Sequence, residues 1–121
     1  MDSPLIEEVV WGTITVRNFG TFRDAKVFPG AAKAWDWNDT GTRHVPGIQV
    51  ADVEELIAAG SKTIVLSRGM HLVLQTQPET IDWLQSRDIT TIVEETTKAV
   101  ETYNRLAKAG EPVGGLIHST C

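Results

Sequence analysis

Thr63-Ile64-Val65-Leu66-Ser67-Arg68-Gly69-Met70 decides how the chain is read. Residues 63–66 are β-branched or apolar without a break, and a polar pair and a glycine follow. This is the pattern of a strand buried on both faces that runs into a tight turn. Such strands belong to parallel sheets, and in open α/β sheets ligands sit in the crevice beyond the strands' carboxyl ends. Arg68, Gly69 and Met70 are therefore candidate ligand-binding residues.

Working outward, Val50, Val53, Leu56 and Ile57 fall at helical spacing just upstream, with Asp52, Glu54 and Glu55 in the early turns and Gly60 as the stop. The three acidic residues read as a solvated helix face. Downstream, Pro78 can open a helix over Ile81, Trp83 and Leu84. Ile89 to Val93 is a short β-rich run, and Thr96 or Thr97 is the expected N-cap of a helix to Lys108 with Val100, Tyr103 and Ala107 on one face. Pro112 to Ile117 forms the last strand, with Gly114-Gly115 inside it, where another backbone or a ligand comes close or a bulge forms. His71 to Gln75 is ambiguous between helix and strand.

The first half is different. Ile6 to Val16 has strand pattern with a bulge expected at Gly12, and Phe22 to Phe28 is a second β-rich run stopped by Pro29-Gly30. A short strand around Ala34 to Trp37 and an ordered loop to Gly47 follow. The fold class is α/β: one domain over residues 1–121, a central mixed β-sheet with helices packed on it, and an N-terminal antiparallel meander.

At 121 residues and 41% hydrophobic composition the chain can bury a real core. Eleven Lys and Arg against 16 Asp and Glu give a net charge of −5, with no basic run, which argues against nucleic acid and anionic membranes as partners. The single cysteine, Cys121, allows no disulfide within the chain and fits a reducing compartment. The N-terminal residues have neither the basic start and apolar run of a secretory signal nor the arginines of a mitochondrial presequence. No apolar run approaches the ~20 residues that a membrane helix needs. A cytoplasmic protein is the expectation.

Trp35-Asp36-Trp37, Ser67-Arg68-Gly69-Met70 and Gly114-Gly115-Leu116-Ile117-His118-Ser119-Thr120-Cys121 together carry a resemblance. The chain is similar, end to end, to a small domain-of-unknown-function family with archaeal and bacterial members. One branch of that family is associated with adipogenesis, and a mitochondrial complex I assembly factor is a distant relative. The resemblance implies a single three-layer α/β domain and a cytoplasmic protein linked to adipocyte differentiation and its gene expression. It brings no enzymatic activity with it.

Arg68 beside Gly69 could hold a carboxylate or phosphate, because the guanidinium offers a planar fork and the glycine lets backbone N–H groups approach. Trp37 and His44 could help to line that crevice. The competing reading pairs Arg68 with an internal carboxylate. Trp35 and Trp37 could form an aromatic protein-contact surface, against the reading in which both indoles pack over the core's edge. Asp36 and Asp39 read as turn chemistry. His44, His71 and His118 with Cys121 lack the paired spacing by which zinc sites announce themselves, so neither metal nor cofactor is expected. No catalytic residue is named, because a thiol at the end of the chain is poorly held for work with His118. Two functions follow: a non-enzymatic regulatory or adaptor protein with an unidentified protein partner, or a domain that binds a small anionic ligand, or acts on one, at Arg68-Gly69. The sequence gives no preference of oligomeric state.

Overall fold

The computed structural model describes residues 1–121. Strands β1 (Ile6–Val10), β2 (Thr13–Val16) and β3 (Gly20–Phe22) form an antiparallel three-stranded sheet in that order. The remaining strands are β4 (Asp24–Phe28), β5 (Ala31–Ala34), β6 (Thr63–Ser67), β7 (Thr90–Glu94) and β8 (Val113–His118). They build a second, mixed sheet in the order β5-β4-β8-β6-β7. Its centre is parallel, β6 pairing with β7 and β8, while β4 runs antiparallel to β8 and β5 antiparallel to β4. The helices are α1 (Val50–Ala58), α2 (Pro78–Gln85) and α3 (Thr96–Lys108).

Topology places the helices. The chain steps outward from β6 through α2 to β7, then returns over β6 through α3 to β8. Right-handed crossovers in opposite directions put their helices on opposite faces. Strand alternation feeds both cores: Val65, Val113 and Ile117 pack with Ala99, Val100 and Tyr103 of α3, and with Ile6, Ile14 and Val16 of the small sheet. Ile64, Leu66 and Leu116 point the other way, onto Val53 and Leu56 of α1 and Leu84 of α2. Three layers result.

The paired glycines of β8 are set by this double packing. A Cβ on Gly114 would lie 2.5 Å from Ser61 Oγ and 3.1 Å from Leu56 Cδ2, so only a bare backbone lets α1 sit this low on the sheet. Gly115 faces Val27 and Tyr103 on the opposite side.

Local expectations differ from the structure at four places. Gly12, at φ +88°, is part of the turn between β1 and β2, and the ladder irregularity lies between Ile6 and Glu8. The strand expected around Ala34 to Trp37 ends at Ala34, and Trp37–Asp39 is a 3-10 turn. There the Asp36 carboxylate accepts from Asn38 N (2.9 Å), a local bond that favours the turn over a strand. The cap of α3 is Glu95, whose carboxylate accepts from Thr97 N and Lys98 N, and not a threonine. Asp52 is fully buried and so does not belong to the expected solvated helix face, whereas Glu54 is exposed and does. Glu55, half-buried, is held by Lys26 and Lys33.

Candidate functional site

The loop between β5 and α1 is organised by Asp52. Its carboxylate accepts from Trp35 Nε1 (3.2 Å), Thr40 Oγ1 (2.7 Å), Thr42 Oγ1 (2.6 Å) and Gln49 N (2.9 Å). Gln49 Nε2 donates in turn to the Thr40 carbonyl, closing the loop onto the start of α1. Trp35 is thereby buried inside the molecule. Trp37 and His44, further along the same loop, are carried over the carboxyl end of β8.

There they meet His118, the last residue of β8. Its position is fixed from four directions: Ser67 Oγ accepts from its N–H (2.8 Å), Thr96 Oγ1 donates to its carbonyl (2.7 Å), β4 pairs alongside, and Asp24 Oδ2 lies 2.9 Å from Nδ1. Asp24 Oδ1 also accepts from Ser119 N (3.0 Å). With Nδ1–H donated to the carboxylate, His118 Nε2 keeps a lone pair. That lone pair faces His44 Nε2 at 3.3 Å and Thr120 Oγ1 at 3.2 Å. Cys121 Sγ completes the group, 3.8 Å from His44 Nε2. Trp37 walls it in, with its ring centroid 4.8 Å from each imidazole, and its buried indole N–H has no hydrogen-bond partner.

Burial holds the His44 pKa below its ordinary 6.5, and a positive charge on His118 would push it the same way, against the opposing pull of Asp24. Neutral His44 is a base or a ligand, not a cation. The nitrogens of His44 and His118 and the Cys121 sulfur all lie within 4.8 Å of one another, so these three side chains are the ones that could hold a metal.

The residues 119–121 cross the end of β6. Met70 N donates to the Thr120 carbonyl (2.6 Å), Val73 N to the Cys121 carbonyl (3.0 Å) and Gly12 N to the Ser119 carbonyl (3.1 Å). Gly69, at φ +85°, is pressed against this segment so closely that a Cβ would lie 2.2 Å from the Cys121 carbonyl. The space beyond Gly69 thus holds the protein's own backbone. Arg68 turns away and donates from Nη2 to the Leu72 carbonyl (3.1 Å); no carboxylate lies within ion-pair distance. Of the five candidate ligand residues, then, Trp37 and His44 converge with each other, whereas Gly69 and Met70 are engaged by the 119–121 backbone and Arg68 by the Leu72 carbonyl. A surface depression lies elsewhere, between the N-terminal segment and the end of α3, lined by Met1, Leu5, Phe19 and Lys108 among others.

Beside this segment the surface is apolar. Trp11, 55% exposed at the tip of the β1–β2 turn, packs against His71 with ring centroids 5.0 Å apart and planes tilted by 39°, and Val10, Leu72 and Val73 are exposed next to them in sequence. His118 and Cys121 stand 74 and 77 residues from His44, so no spacing rule could have joined them. The only local sign was the length of structured, polar chain around His44.

These features define a small α/β domain with a polar cluster at the carboxyl end of its central strands. The chain belongs to the family described as Protein of unknown function (DUF498/DUF598), which it matches over residues 6–118. Similar solved structures include a conserved hypothetical protein from Pyrococcus horikoshii OT3, at TM-score 0.79 and 21% identity, covering 96% of this chain and 98% of that one. The protein MT938 is similar at TM-score 0.76 and 25% identity over 98% of this chain and all of its own. A Mth938-like domain protein of Bordetella pertussis matches at TM-score 0.69 and 16% identity, over 96% of this chain and 85% of that one. These likenesses establish the shared fold. No helix here is long and apolar enough to cross a membrane.

Proposed function

We propose that the protein is a non-enzymatic cytoplasmic adaptor that acts through contacts with another protein. The observation that carries this reading is the apolar surface at Trp11, His71, Leu72 and Val73. A half-exposed tryptophan packed against a neighbouring ring is already ordered, so a partner would bury it at little further entropic cost. Clustered exposed apolar side chains of this kind mark interaction sites more often than isolated ones do. The resemblance to the adipogenesis-associated branch supports a role in adipocyte differentiation and its gene expression.

The test is quantitative affinity capture from cytosol of differentiating adipocytes, comparing wild type with a Trp11→Ala, Leu72→Ser double variant of matched thermal stability. Partners that depend on this surface are expected to fall by more than about tenfold in the variant, the loss of a single hot-spot residue. An unchanged partner set would remove the surface from consideration.

A further inference from the structure

We propose that His44, His118 and Cys121 form a three-ligand site for one transition-metal dication of the Zn2+ type. The inference stands apart from the adaptor reading, resting on the geometry of the cluster and not on the apolar surface.

Donor spacing is the first observation. Tetrahedral zinc has Zn–N near 2.0–2.1 Å and Zn–S near 2.3 Å, so two coordinated nitrogens lie about 3.3 Å apart and a nitrogen and a sulfur about 3.5 Å apart. The structure has His44 Nε2 and His118 Nε2 at 3.3 Å, and Cys121 Sγ at 3.8 Å from His44 Nε2. One tetrahedral edge is in place, and a small movement of the Cys121 side chain sets the others, since no donor pair exceeds 4.8 Å.

Proton accounting is the second. With the His118 Nδ1–H donated to Asp24, the two Nε2 atoms face each other, and at most one of them carries a hydrogen. If His44 donates that hydrogen to His118, it has no Nε2 lone pair left for the Cys121 thiol. A cation satisfies all three donors at once. The cysteine enters as thiolate: its S–H bond breaks, an S–metal bond forms, and the proton leaves to solvent.

The surroundings complete the picture. Asp24 on the far nitrogen of His118 is the carboxylate–histidine arrangement that orients metal-binding imidazoles and raises their basicity, and Asp24 is itself held by Ser119 N. Two imidazoles and a thiolate suit zinc, cobalt or copper and reject the oxygen-seeking magnesium and calcium. Three protein donors leave a fourth position beside Thr120 Oγ1 for water or a ligand group.

The test titrates Co2+ into the reduced full-length protein, stripped with chelator and followed by absorbance. Saturation at one equivalent is expected, with the visible bands of tetrahedral cobalt, a near-ultraviolet thiolate-to-cobalt band, and loss of both on adding Zn2+. Cys121→Ser should abolish the near-ultraviolet band, and His44→Gln should weaken binding by more than about a hundredfold. Asp24→Asn should weaken it about 10–100-fold. His71→Gln should bind as wild type. Melting curves in chelator show whether each variant is folded, and the wild-type spectrum decides the matter even if one is not. Absence of saturable binding, pale octahedral spectra, or equal affinity in wild type and His44→Gln would mean an adventitious cation only and overturn the assignment.

Discussion

Asp52 and His118 each gather polar groups from distant parts of the chain, and they do so in opposite ways. Asp52 presents two carboxylate oxygens to four donors, so every group it desolvates is repaid in hydrogen bonds. The cluster at His118 instead brings two imidazole nitrogens and a sulfur together, three atoms that can each bind a metal ion. A closed network holds a loop. An open one is ready to receive something. The first carries Trp37 and His44 to the second, so the structural cluster assembles the chemical one.

Breaking the closed network should have the largest effect. Asp52→Ala leaves an indole N–H, two hydroxyls and a backbone N–H without their partner, and should cost about 3 kcal/mol or more, on the order of 10 °C in melting temperature. Urea denaturation should show a lower midpoint at unchanged slope. A loss below about 1 kcal/mol would mean that the loop holds itself. Gly69→Ala should come next, at about 2 kcal/mol, because its Cβ meets the Cys121 carbonyl at 2.2 Å and its φ is +85°. Hydrogen exchange at the Met70 and Val73 amides, which donate to Thr120 and Cys121, should accelerate as the 119–121 segment lifts.

Acid sharpens the contrast further. His44 binds its proton less readily folded than unfolded, so the unfolded state holds more protons as pH falls through 6.5. Stability contributed by neutral His44 is therefore present above that pH and is lost below it. Wild type should become less stable between pH 7 and 5.5 by more than His44→Gln does, measured as the difference in urea midpoint. The smallest effect belongs to Lys33→Ala. Its ion pair with Glu55 is half exposed, and removing it should cost a few tenths of a kcal/mol (~0.3).

Much of this architecture was legible in the sequence, because it is written in local pattern. The unbroken apolar run of β6 and the spacing of Val53 and Leu56 on α1 lie where expected, and so does Val100 with Tyr103 on α3. What escaped is non-local. Trp35 and Trp37 read as alternating strand residues, yet a bond from Trp35 to Asp52, 17 positions away, and an aspartate turn override that period. Asp52 looks like a helix-dipole residue, and it is one, but its burial depends on threonines that only the folded loop delivers. The pairing of His118 with Asp24 spans 94 residues and follows from β4 lying beside β8, which no periodicity reports. Arg68 and Gly69 were singled out by a sound rule about strand ends. The structure fills that place with the chain's own residues 119–121 and gathers the reactive groups one strand away.

The measurement that bears most directly on the open cluster is the melting temperature of wild type and His44→Gln, each with chelator and with excess Zn2+. A ligand at 100 times its dissociation constant stabilises the folded state by about 2.7 kcal/mol, worth several degrees for a domain of this size. Wild type should rise by that amount with zinc while His44→Gln stays where chelator leaves it. Equal shifts in both proteins, or none in wild type, would contradict the account.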